Sequence, residues 1–228
     1  MQDHRYCPGC GHIQISKEVE RQLIERAGVF VGSVGCSVAL PNLFDIVDAV
    51  SAAHGRALSV ATALKMALPD KTIIAYQGDG DCCTIGAGEL LHTILRNPKI
   101  VCVLINNENF GMTGHQMSAE TPIGVKTKTT VKGRDETLHG IPLDVKHLTK
   151  LNPKVKYYLS NSATKDGIEL FKKQLEEAIN YDGFSLLEVI SPCPTFFGGK
   201  PKEAYDFAKQ CYEEKLQSNM CKCEDQIC

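Results

Sequence analysis

The chain has little of what marks a nucleic-acid or membrane protein. Its 25 lysines and arginines face 27 acidic residues, for a formal net charge of −2, so it carries no basic footprint for a polyanion. No apolar run approaches the roughly 18 residues that a bilayer span requires. The opening Met1-Gln2-Asp3-His4-Arg5-Tyr6-Cys7 lacks the apolar centre of a secretory signal, and a cytoplasmic location is the expectation. No internal repeat is present. A length of 228 residues suits one sizeable α/β domain rather than two generous ones.

Apolar runs alternate with amphipathic stretches, which predicts an α/β fold with a mainly parallel sheet flanked by helices. A helix is expected over 13–27, with Val19, Leu23 and Ile24 on its apolar face and Gly28 ending it. A short strand follows at 29–31. Residues 57–68 read as a buried helix stopped by Pro69. Strands at 72–77 and 100–105 bracket an amphipathic segment, 84–96, of the length a βαβ crossover needs. After a long polar stretch, 108–138, come a helix near 144–151, a strand near 156–159, a helix over 165–179 and a strand over 185–190. A polar helix over 202–216 carries Cys211, and a tail carries Cys221, Cys223 and Cys228. The expected division is an α/β domain over 1–200, then a C-terminal helix and tail over 201–228.

Gly78-Asp79-Gly80-Asp81 follows one central strand and Asn106-Asn107 ends the next. Parallel pairing places Asp79 and the Asn107 amide side by side at the carboxyl edge of the sheet, where open α/β folds bind ligands. Hard oxygen donors suit Mg²⁺ bridging to a diphosphate, and the glycines let the backbone approach a phosphate. A Gly-Asp-Gly turn alone is an ordinary turn. Its spacing to Asn107 across strand, helix and strand makes a diphosphate-plus-metal site.

Eleven cysteines are many for a reducing compartment, where metal binding or redox chemistry outweighs disulfides. Cys82, Cys83 and Cys102 fall in or beside core elements and are expected to pack as small hydrophobes. Cys7-x-x-Cys10 has the spacing with which two thiolates grip one metal centre. It precedes the first clear strand, unlike a thioredoxin-type redox pair. Cys36 and Cys193 each lie just past a strand, so the four thiols can converge on one face. Zinc and a [4Fe–4S] cluster share this ligand set. One local pair plus two distant cysteines fits the cluster slightly better, and spacing leaves both open.

Six motifs in order carry a resemblance. Cys7-Pro8-Gly9-Cys10-Gly11-His12, Gly35-Cys36-Ser37, His54-Gly55-Arg56, Gly78-Asp79-Gly80-Asp81, Asn106-Asn107-Glu108-Asn109-Phe110-Gly111-Met112-Thr113-Gly114 and Ser191-Pro192-Cys193-Pro194-Thr195 resemble the thiamine-diphosphate-binding β subunit of 2-oxoacid:ferredoxin oxidoreductases. The resemblance spans about residues 7–198 and implies the thiamine-diphosphate-binding fold. It implies that Asp79, Asn107 and the Asn109 carbonyl hold Mg²⁺, that Gly78, Gly80 and Asp81 line the diphosphate, and that Thr113-Gly114 closes over it. Met112 would pack on the cofactor, with His54 and Arg56 beside it as catalytic residues. Cys7, Cys10, Cys36 and Cys193 would hold one [4Fe–4S] cluster. The implied reaction is coenzyme-A-dependent oxidative decarboxylation of a 2-oxoacid, with electrons leaving through the cluster to ferredoxin. The motifs and residues 117–130 look more like the 2-oxoglutarate and 2-oxoisovalerate branch than the pyruvate branch.

No glutamate here is assignable to activating the aminopyrimidine. The resemblance implies that an α-type subunit supplies it, and the outer electron relay calls for γ or δ ferredoxin-like subunits. Glu89 is expected to serve packing or an interface. His115 departs from the glycine of many relatives. Lys126, Lys128, Lys132 and Arg134 either steer anionic substrate groups or form solvated surface. Two other readings stand beside this one: a thiamine-diphosphate-dependent decarboxylase or synthase subunit without electron transfer, and a zinc-stabilised non-catalytic subunit. Nucleic acid and membrane are not expected partners.

Overall fold

A computed structural model describes residues 6–42 and 47–220; Cys221, Cys223 and Cys228 lie outside them. Six strands form one wholly parallel sheet: β1 (Val29–Gly32), β2 (Asp48–Ser51), β3 (Ile73–Gly78), β4 (Val101–Asn106), β5 (Lys156–Asn161) and β6 (Ser185–Ile190). Their order is β2-β1-β3-β4-β6-β5. The central strands are buried on both faces, as parallel sheets require. Their alternate residues feed two cores. Ile73, Ala75, Cys102 and Leu104 join one, and Ile74, Tyr76, Val103 and Ile105 the other.

Helices cover each face. Ile15, Val19 and Leu23 of α1 (His12–Glu25) fill the second core. Ala57, Leu58 and Ala61 of α2 (Ala57–Ala67) and Leu90 and Ile94 of α3 (Ala87–Arg96) fill the first. Two short helices, α4 (Glu136–His139) and α5 (Val145–Thr149), follow. Then α6 (Lys165–Asn180) packs beside α1, with Phe171 and Leu175 buried. The last helix, α7 (Pro201–Met220), buries Ala208 and Cys211 against Leu159 and Ile190.

Several expectations need correction. Ile24 is exposed, one step around the helix from the buried stripe. Ala27, not Gly28, takes the left-handed turn that ends α1, with φ 46°. Gly28 is needed for space instead: a Cβ there would stand 2.8 Å from the Thr72 carbonyl oxygen. The α2 helix is only half buried, and Met66 on its outer side is 79% exposed. The polar helix α7 buries Cys211 on the side that meets Leu159 and Ile190. Strand β2, whose side chains are largely exposed, and α4 gave no signal strong enough to anticipate. Cys82, Cys83 and Cys102 are buried as expected.

The crossover from β3 does not start as a plain α-helix. Residues Gly80–Ile85 form a π-helical turn, with the Gly86 amide donating to Asp81 O at 2.8 Å, and α3 begins at Ala87. Wide turns of this kind concentrate at functional sites. The long polar segment is ordered, and Arg134 orders it. Its buried guanidinium donates to the carbonyls of Ala119 at 2.9 Å, Thr121 at 2.6 Å, Gly140 at 3.0 Å and Ile141 at 2.7 Å. That removes Arg134 from any anion-steering role, while Lys126, Lys128 and Lys132 remain on the surface. Replacing Arg134 by methionine orphans several buried carbonyls, and should cost roughly 2–4 kcal/mol. Urea denaturation checks this, and an unchanged midpoint contradicts the assignment.

Candidate functional site

The chain runs from β1 outward to β2 and then back across to β3. The carboxyl ends of β1 and β3 therefore diverge at a topological switch point, where such sheets bind ligands. A cavity of about 130 Å³ opens there, lined by Gly35, Cys36, His54, Gly78, Asp79, Gly80, Asp81, Asn107, Asn109, Phe110, Met112 and Thr113. Gly114 and Arg56 lie outside that lining. Arg56 instead pairs with Glu89 at 2.8 Å, which also gives Glu89 its role.

Asp79 is 1% exposed, and burial pushes its carboxyl up to about 7 against hydrogen bonds from Ser118 and nearby backbone amides. Its Oδ2 has no hydrogen-bond partner. The Asn107 side-chain amide stands 2.7 Å from the Asn109 carbonyl oxygen and 3.2 Å from Asp79 Oδ1. Turned nitrogen-first, it donates to both. Turned oxygen-first, three oxygens face one another, an arrangement only a cation would stabilise. The donor set thus fits a hard divalent ion. At Gly78, an added Cβ would meet nothing nearer than the Ile105 carbonyl oxygen at 3.8 Å, whereas at Gly80 the Phe110 ring fills the corresponding space.

Asp81 lines the same cavity but is only 3% exposed. Ser33 Oγ donates to it at 3.0 Å and the Gly55 amide at 2.6 Å, and Gln77 Nε2 and His54 Nδ1 bond to it as well. Its oxygens are engaged by protein groups, so Asp81 lines the cavity as expected in sequence and also orients His54. Ser33, Gln77 and Ser118 escaped the sequence reading. A glutamine ending an apolar strand was the available signal for Gln77.

A second cavity, of about 410 Å³, is lined by Cys7, Cys10, Cys36 and Cys193 together with Tyr6, His12, Asn107, Gly111 and Met112. The two cavities share His12, Cys36, Asn107, Gly111 and Met112 as a common wall. Burial, aided by repulsion among these sulfurs, holds Cys10 up at about 12 and Cys36 at about 11. Bare thiols here are neutral, and a metal centre would deprotonate them. Gly111 brings the metal loop close: a Cβ on it would stand 3.0 Å from Cys193 Sγ. His115 has φ 73°, the conformation that explains why glycine suits this position, and its ring stands edge-on to Phe196 with centroids 4.3 Å apart.

Comparison with known proteins agrees with this geometry. Residues 33–189 match the thiamine pyrophosphate enzyme, C-terminal TPP binding domain family. The chain is 33% identical over 214 residues to the 2-oxoglutarate synthase subunit KorB of Archaeoglobus fulgidus, covering 92% of this chain and 77% of that protein. It is also 33% identical over 223 residues to the ketoisovalerate oxidoreductase subunit VorA of Methanothermobacter thermautotrophicus. A solved 2-oxoglutarate:ferredoxin oxidoreductase from Magnetococcus marinus superposes with a TM-score of 0.73 at 30% identity, covering 84% of this chain and 65% of that one. The chain belongs to the β-subunit family of 2-oxoacid:ferredoxin oxidoreductases. It spans 46% of the VorA relative's length. Family members are subunits of enzymes built with partner chains. No helix among the described residues is long and apolar enough to cross a membrane.

Within this family fold, His12 is a wall rather than a free base. It is 2% exposed, stacks on Tyr6 and lies 3.0 Å from the Tyr76 hydroxyl through Nδ1. Burial holds its imidazole down at about 4. The unfolded chain therefore binds the proton more readily, so the contribution of His12 to stability is full above about pH 6.5 and falls as pH drops toward 4. The expected loss of that contribution is about 3 kcal/mol. Asp79, held up by burial, acts in the opposite sense over the same range, so the His12 share is read as the difference in urea stability between the wild type and His12→Gln from pH 7 to 4.5. A difference independent of pH over that window contradicts the assignment.

Proposed function

We propose that this chain is the cofactor-bearing β subunit of a cytoplasmic assembly that oxidatively decarboxylates a 2-oxoacid onto coenzyme A and passes the electrons to ferredoxin. The observation that carries the reading is the common wall between the oxygen-lined cavity and the thiol-lined cavity. Asp79, Asn107 and the Asn109 carbonyl would hold Mg²⁺, with Gly78 giving the diphosphate room and Thr113 at the rim. Bound thiamine diphosphate supplies an electron sink for decarboxylation. Asp81 fixes the His54 ring at the cavity edge, where Nε2 can hold or move a proton. Met112 and Phe110 line the cavity beside it. Arg56, bound to Glu89, acts at most on the approach to the site.

Cys7, Cys10, Cys36 and Cys193 would hold a [4Fe–4S] cluster. Four thiols on one cavity that shares a wall with the cofactor cavity support a redox cluster over structural zinc and over a decarboxylase without electron transfer. The eight described cysteines are free thiols, in keeping with a reducing compartment. An α-type subunit supplies the activating glutamate, and ferredoxin-like γ or δ subunits extend the relay. The substrate favoured is 2-oxoglutarate or 2-oxoisovalerate over pyruvate, in line with the names of the KorB and VorA relatives.

Asp79→Ala should abolish Mg²⁺-dependent binding of thiamine diphosphate while iron content stays intact. Retained binding, or loss of iron as well, contradicts the separation of the two sites. Cys193→Ser should lower iron and acid-labile sulfide, whereas Cys211→Ser, buried under α7, should not. Equal losses in the two variants sink the four-thiolate assignment.

A further inference from the structure

The loop that presents the metal-facing oxygens is held in a conformation its sequence does not favour. Glu108, between Asn107 and Asn109, has φ 63°, a left-handed backbone that residues with a Cβ avoid unless their surroundings enforce it. Two hydrogen bonds enforce it here. The Glu108 amide donates to Asn106 Oδ1 at 3.0 Å, and Thr121 Oγ1 donates to the Glu108 carbonyl at 2.6 Å. Asn106 can serve as an anchor only if its own amide is fixed. Its Nδ2 donates to Glu188 Oε1 at 2.7 Å and to Glu120 Oε2. Both carboxylates are fully buried.

Two buried acids on one amide repel each other unless a cation stands between them or one keeps its proton, and burial with the neighbouring acids holds Glu120 above the usual carboxylate range. Lys215 of α7 is that cation, with Nζ 2.7 Å from Glu188 Oε1 and 3.1 Å from Glu120 Oε2. Tyr157 completes the set, donating to Glu188 Oε2 at 2.6 Å. None of these groups lines either cavity.

We propose that Lys215 is a positioning residue for the metal site: it clamps Glu120, Glu188 and Asn106 into a buried platform that holds the strained turn between Asn107 and Asn109. This rests on the reading of Asp79, Asn107 and Asn109 as the Mg²⁺ site. It gives α7 a function beyond covering β5 and β6, because the helix supplies the charge that keeps the loop in shape. Losing Lys215 leaves two buried acids on Asn106 with no cation between them. They separate, the Asn106 amide turns, and the peptide between Asn107 and Asn109 relaxes to an unstrained conformation.

The test uses the full chain, purified anaerobically with whatever chains accompany it, and follows thiamine diphosphate binding calorimetrically as Mg²⁺ is titrated. Lys215→Met should raise the Mg²⁺ concentration at half-saturation by about tenfold or more, the scale on which outer-shell partners tune metal affinity. Iron content should not change, and Lys215→Arg should restore most of the affinity. If Lys215→Met does not fold, Lys215→Gln keeps a donor without the charge and should give the same shift. A folded Lys215→Met or Lys215→Gln variant with the wild-type Mg²⁺ midpoint overturns the proposal, even if its melting temperature is lower. The underlying site reading fails separately, if the wild type needs no Mg²⁺ to bind thiamine diphosphate or if Asp79→Asn binds like the wild type.

Discussion

Burial of the parallel sheet on both faces is the constraint on which everything else depends. Strands covered above and below by helices can offer chemistry only at their ends, and parallel direction sends all their carboxyl ends to one edge. There β1 delivers Gly35 and Cys36, β3 delivers Gly78 and Asp79, β4 delivers Asn107, and β6 delivers Cys193. Asp79, Asn107 and Cys193 come together because the strand order sets β3, β4 and β6 side by side. The same geometry explains why one wall serves two cavities. The loop after β4 lies between the strand end that carries Asp79 and the one that leads to Cys193.

The site is costly to keep in order. Asp79 is buried with an oxygen unpartnered, Glu108 and His115 adopt backbone conformations suited to glycine, and two thiols sit far above their usual titration range. The buried carboxyl and the two backbones oppose stability in the bare chain. A cation would satisfy Asp79, and a metal centre would take the thiolates. The protein's own compensation lies outside the cavities. Asp81 gathers four donors beneath one, Arg134 ties down the long loop, and Lys215 balances the acidic platform.

Much of the architecture was legible in the chain, because it rests on local pattern. Strand β6 and helices α3 and α6 follow from hydrophobic period, and Asp79 and Asn107 from their places after successive apolar runs. Cys36 and Cys193 were legible through the strand ends that precede them, and Cys7 and Cys10 through their spacing. Legibility failed where a residue's role depends on a distant partner. Glu188 interrupts an apolar strand with no hint that Lys215 awaits it across the fold. Arg134 sits among surface lysines and reads as one of them. Asp81 reads as a group beside the diphosphate, with no sign in the chain of its bonds to Ser33, Gln77 and His54. Gly28 read as a helix stop, yet its absent side chain makes room for Thr72.

The central claim is that a cofactor pocket and a cluster pocket share a wall in this one chain. The most direct measurement is iron, acid-labile sulfide and zinc per chain after strictly anaerobic purification. The account predicts about four irons with matching sulfide and no stoichiometric zinc. One zinc per chain without sulfide would remove the electron-transfer step and contradict it.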